Sequence, residues 1–184
     1  VMLALTIPIA VVAGIVIQPL IQVLLGLEPA DTARVVLVTR VFLLGISCHS
    51  LVELFVRSFY AMQKPKYPLL LAGLTLLFYL AAGWLLSARF EAAGIAAANT
   101  LAYTLQAAVL LILLAKVLTA KPNLRLTLVR AVLGAALGGA AAWSVMRYAP
   151  IPGGGLVSAA VGGILGLLLA ALALQKDLRA LANL

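Results

Sequence analysis

Groups that carry covalent chemistry are scarce in this chain. Its 184 residues hold one histidine, one cysteine and five carboxylates. They are scattered over the whole length, so no triad, metal cage or glycine-rich phosphate loop can be read from neighbouring positions. We expect no enzymatic activity, no metal and no cofactor. A single cysteine, Cys48, excludes an intrachain disulfide, and its place in an apolar run suits a small packing residue. Aromatic residues make up only 7%, with few beside the basic positions to stack on bases, so the net charge of +8 does not point to nucleic acid. The opening stretch 1–26 is too long for a signal peptide and lacks both the basic leader and the small-residue cleavage site. Since it begins with Val1 rather than Met, we expect a fragment whose amino-terminal part lies elsewhere.

What is present is apolar. Hydrophobic residues make up 65% and charged residues 10%, with a mean hydropathy of +1.21, against about 45–50% and about 25% in soluble domains. The composition is that of an integral membrane protein. About 20 helical residues cross a hydrocarbon core. By that measure we expect an all-α, polytopic bundle of six transmembrane helices, over 1–26, 33–60, 68–87, 92–117, 131–148 and 155–175. Pro8 and Pro19 should kink the first, Asp31 or Thr32 should cap the second, and Pro68 suits the first turn of the third. Arg57, Lys64, Lys66, Lys116, Lys121, Arg125, Arg130, Lys176 and Arg179 fall at one side of these spans. Arg34, Arg89 and Arg147, partly offset by Glu28, Asp31 and Glu91, fall at the other. The positive-inside rule then puts loops 61–67 and 118–130 and the carboxyl terminus in the cytoplasm.

Ionisable side chains inside a span are expensive and mark functional or structural sites. The second span carries Arg40, His49, Glu53 and Arg57. His49, Glu53, Arg57 and Tyr60 share one helical sector, so Glu53 can pair with Arg57 and His49 can reach a neighbouring helix. They read first as a structural anchor and, as the alternative, as a polar or proton pathway. Arg40 lies on another face with no acid three or four residues away. It is the better functional candidate, with snorkelling outward as the alternative. Asn99, Tyr103 and Gln106, spaced i, i+4, i+7, form a second stripe that either bonds between helices or lines a cavity. Thr75 and Tyr79 sit in a third span read as lipid-facing or packing surface, and Trp84 and Trp143 as interface anchors. Gly134 with Gly138, and Ser158, Gly162 and Gly166, have the small-xxx-small spacing of closely packed helices.

The run Arg57-Ser58-Phe59-Tyr60-Ala61, followed by a basic loop and Pro68, resembles the R-x-F-Y-A…P signature of the MurJ (MviN) lipid II flippases, in the multidrug/oligosaccharidyl-lipid/polysaccharide exporter superfamily. The proline-bearing first span ending in 19–26 and the 93–96 run AGIA agree with that resemblance. It implies the last six helices of a fourteen-helix transporter. Residues 1–118 would be four helices of its carboxyl-terminal lobe, 119–130 a cytoplasmic loop, and 131–184 two added helices forming a groove for a lipid tail. Gly134, Gly138, Ser158, Gly162 and Gly166 are candidates for that groove. The implied activity is alternating-access transport of an undecaprenyl-linked peptidoglycan precursor across the bacterial inner membrane. The implied partners are that anionic precursor, membrane lipids and the amino-terminal lobe that this sequence does not contain. Arg40, His49, Glu53, Asn99, Tyr103 and Gln106 are the candidate cavity residues, and Arg57, Phe59, Tyr60 and Pro68 the cytoplasmic-end signature. The loop Lys64-Pro65-Lys66-Tyr67 and the acid at Glu53 depart from the family pattern. That leaves open an exporter of another lipid-linked oligosaccharide, a drug exporter, or a non-transporting scaffold for cell-wall synthesis proteins.

The charge distribution generates a topology test. With Cys48 replaced by alanine, a cysteine introduced at Lys64 should react with a membrane-impermeant thiol reagent from the cytoplasmic side only, and one at Asp31 from the outside only. Reversed labelling would overturn the orientation.

Overall fold

The structure is a computed structural model and describes residues 2–117, 124–148 and 154–175. Water is absent from a hydrocarbon core, so every backbone N–H and C=O must be satisfied within its own segment, which leaves helices as the economical solution. Helices are what the chain forms: α1 (Met2–Leu25), α2 (Pro29–Ala61), α3 (Lys66–Val117), α4 (Leu124–Tyr148) and α5 (Gly155–Ala173). All five are long and apolar enough to cross a membrane. The two prolines of α1 do not break it into separate elements.

Among the described residues the expected six helices are five, because the third and fourth run together in α3 across a kink. This element has 52 residues, which at 1.5 Å per residue is about 78 Å of helix, far more than a core about 30 Å thick requires. It is not straight. Glu91 leaves helical geometry at φ 50°, ψ −130°, in the gap between the spans expected over 68–87 and 92–117. Contacts step away from that residue in both directions. Gly94 lies against the backbone of Leu86 and Ser87, Gly83 faces Ala98, and Thr75 and Tyr79 line the same cavity as Asn99, Tyr103 and Gln106. The two arms, 66–90 and 92–117, form an antiparallel hairpin. Gly94 permits its tight end, since a Cβ there would fall on the Leu86 carbonyl.

Other boundaries also moved. Helix α2 starts at Pro29, which has no N–H to leave unpaired in a first turn. Asp31 therefore sits within that turn, where the helix dipole favours an anion. Thr32 is buried, and its hydroxyl reaches back to the Leu27 carbonyl at 3.3 Å rather than capping a later start. At the other end, Lys64 N–H donates to Phe59 O and Gln63 N–H to Tyr60 O, both at 2.9 Å. With Gln63 at φ 57°, this is the paired-carbonyl closure of a Schellman motif. Helix α4 begins at Leu124, well inside the stretch expected to be loop. Lys121, Lys176 and Arg179 lie outside the described residues.

The chain forms two compact units. One comprises α1, α2 as far as Leu43, α4 and α5, with Val12, Val16, Ala142 and Ala159 at its core. Its α4–α5 seam is made by glycine. A Cβ on Gly166 would lie 2.6 Å from Gly138 O, and one on Gly162 would lie 3.1 Å from Ala142 O, so the backbones approach as the small-residue spacing predicts. The other unit holds α2 from Leu44 together with α3. There Val52, Phe55 and Phe59 pack on Ala107, Leu110 and Leu114.

Gly94→Ala should lower the thermal midpoint of the detergent-solubilised protein, by an overpacking cost of roughly 1–3 kcal/mol. Gly73→Ala, which meets nothing within 4 Å, should not. Equal behaviour of the two would contradict the hairpin.

Candidate functional site

Polar side chains collect in each unit. In the second, α2 and both arms of α3 bring together residues far apart in sequence. His49 Nε2 and Asn99 Oδ1 are 3.0 Å apart. A carbonyl oxygen only accepts, so Nε2 carries the proton in this pairing. The His49 ring stacks on Tyr103 at 3.6 Å between centroids with 25° between planes. Asn99 and Tyr103 then line a cavity of about 420 Å³ together with Val52, Thr75, Tyr79 and Gln106. Gln106 is only 6% exposed. The stripe i, i+4, i+7 is therefore partly a helix-to-helix bond, through Asn99, and partly a cavity wall.

In the first unit, Arg40 donates from Nε to the Gly14 carbonyl of α1 at 2.8 Å. This bond fixes the guanidinium while leaving its two terminal nitrogens, a planar fork suited to carboxylate or phosphate. Arg40 lines a cleft of about 260 Å³ with Ile15, Gln18, Trp143, Met146 and Arg147. None of these lining residues is acidic. Pro19 has no N–H to return to the Ile15 carbonyl in this wall. Two arginines without a carboxylate, beside a glutamine and an indole, make a surface that favours an anion with an apolar part.

The remaining candidates have simpler places. Glu53 and Arg57 form the expected i, i+4 ion pair, with 67% and 75% of their side chains exposed. Phe59 is fully buried and meets Tyr67 at 5.7 Å, Pro68 is buried, and Tyr60 is exposed. The signature thus closes α2 and packs its end. Gly134, Gly138, Gly162 and Gly166 are buried in the α4–α5 seam, so their surface is taken up by helix contact, and Ser158 turns its hydroxyl to the Gly154 carbonyl at 3.5 Å. Among the described residues, no group of three or more histidine, cysteine or acidic side chains converges as metal ligands would.

Sequence reasoning missed several lining residues, Gln18 among them. Thr75 and Tyr79 read as packing surface, because only the hairpin turns them toward Gln106. Trp143 and Arg147 read as an interface anchor and a topology charge, because only the approach of α4 to α1 places them beside Arg40. The i, i+4 spacing of Trp143 and Arg147 was the one available signal.

A family model described as Lipid II flippase MurJ matches residues 1–174. Among curated proteins and solved structures, none matches the chain.

A double-mutant cycle tests the inter-helix bond. His49→Phe and Asn99→Leu should show a coupling of about 0.6 kcal/mol, and no more than about 1.7 kcal/mol, in unfolding stability. Full additivity would mean that the pair does not form in the membrane.

Proposed function

Because the chain belongs to the lipid II flippase MurJ family, we propose that its helices help carry an undecaprenyl-linked peptidoglycan precursor across the bacterial inner membrane by alternating access, driven by an ion gradient or the membrane potential. The observation that supports this most directly is the Arg40 cleft. A precursor of this kind joins phosphates to an apolar chain, and the cleft sets two guanidinium groups beside Trp143, Ile15 and Met146. Arg40 meets the phosphate oxygens with the fork that its bond to Gly14 leaves free, and Arg147 adds charge.

In this reading each arm of α3 crosses the membrane once, which makes six crossings from five helices. The loop after α2 and the carboxyl terminus then face the cytoplasm, and the α2–α3 connection carries the basic residues that hold it there. The prenyl tail lies on the outer faces of α4 and α5, where Leu133, Leu137, Ile164 and Leu168 are exposed, and not on the glycines of their seam. His49 and Glu53 are anchoring groups in this account: each already has a partner in the protein.

Arg40→Ala should slow flipping of a fluorescent lipid-linked precursor in proteoliposomes about tenfold or more, as expected for losing a charge-assisted hydrogen bond of about 1.5–3 kcal/mol. Arg40→Lys should retain part of the rate, since the charge stays and the fork is lost. An Arg40→Ala protein that flips at the unaltered rate would remove Arg40 from the transport path.

A further inference from the structure

Gln106 is the anomaly of the second unit. Its residue is 6% exposed, it faces the cavity, and among the described residues nothing hydrogen-bonds its amide. It lies near the middle of the 92–117 arm, and Thr75 lies near the middle of the opposing one, so the cavity is at mid-span, where bulk water is absent. A buried amide left unsatisfied costs about 1–3 kcal/mol, and native proteins seldom tolerate one without an occupant.

The wall around it has a definite chemistry. Thr75 donates its hydroxyl to the Leu71 carbonyl at 2.7 Å, so its lone pairs remain to accept. The Asn99 oxygen is taken by His49 at 3.0 Å, so the two amide hydrogens remain to donate. Gln106 offers both, and Tyr79 and Tyr103 offer hydroxyls and ring faces. Among the described residues, no charged side chain lines the cavity. An ion of either sign would find no countercharge, and a purely apolar ligand would leave the Gln106 amide and the Asn99 amide hydrogens without partners. The volume of about 420 Å³ is that of a small-ligand site.

From this we propose that the cavity between the second half of α2 and the two arms of α3 is a binding site for an uncharged, hydroxyl-rich ring, a hexopyranose. Its hydroxyls bond Gln106, Asn99 and Thr75, and its apolar C–H face rests on a tyrosine ring. His49 is a positioning residue: by holding the Asn99 oxygen it aims the amide donors inward. The site depends on the transport reading for what the sugar is attached to, and on the cavity alone for the sugar.

The test is saturation-transfer NMR on the intact protein in nanodiscs, with methyl β-glucopyranoside as probe and inorganic phosphate as competitor. Saturable millimolar binding is expected, unaffected by phosphate, at least tenfold weaker in Gln106→Leu and severalfold weaker in Tyr103→Phe. Gln106→Leu removes an unpaired amide and should be at least as thermally stable as the parent, which separates loss of binding from loss of fold. No saturable binding, equal binding by Gln106→Leu, or competition by phosphate each overturns the site. A protein that binds the glucoside yet flips no lipid-linked precursor refutes the transport reading and leaves the site standing. One that flips the precursor with no glucoside binding refutes the site alone.

Discussion

A hydrogen-bonding group inside hydrocarbon must find its partner within the protein or a cavity, and the placement of polar side chains here follows from that constraint. Hydroxyls solve it locally. Thr39, Ser50, Ser58, Thr75, Thr104 and Ser144 each donate to the carbonyl four residues back, which needs no second helix. Longer side chains reach across: Arg40 to the Gly14 carbonyl and His49 to Asn99. What these bonds leave over is the informative part. It consists of the free fork of Arg40 with Arg147 in one unit, and the amide of Gln106 with its hydroxyl neighbours in the other.

The same constraint explains why glycine matters at a few positions. Bonds between helices need backbones close together, and helices in lipid gain that proximity by packing rather than by a hydrophobic drive. Gly138 and Gly166 bring α4 onto α5, Gly139 takes Val11 and Ile15 of α1, and Gly45 lies against Thr100. The last contact lies beside the His49–Asn99 bond, since Gly45 is one turn from His49 on α2 and Thr100 adjoins Asn99 on α3. Packing and polar pairing in the second unit are thus one arrangement.

Much of this was legible in the sequence. Composition gave the all-helical membrane class, the gap between the spans expected over 68–87 and 92–117 fell where Glu91 leaves the helix, and small-residue spacing found the α4–α5 contact. Arg40 stood out because no acid lay within one turn of it, and its partner proved to be a backbone carbonyl, which no side-chain pattern can announce. The two arms of the hairpin were legible as the spans over 68–87 and 92–117, whereas their close approach across Glu91 was not. Thr75, Tyr79, Trp143 and Arg147 escaped for a related reason. Each is ordinary on its own helix and acquires meaning only from the neighbour that faces it. The glycines expected in a groove were found in a seam because the spacing that marks them is itself a packing signal.

In the proposed function, the polar groups left unpaired by the helices are those that touch the transported molecule. An electron cryo-microscopy map of the intact protein with a lipid-linked precursor bound tests it most directly. Phosphate density is expected within hydrogen-bond reach of Arg40 and Arg147 and, as a separate observation, ring density beside Gln106 and Asn99. A map in which Arg40 and Gln106 are both bonded to other helices of the protein, with the precursor held elsewhere, would contradict it.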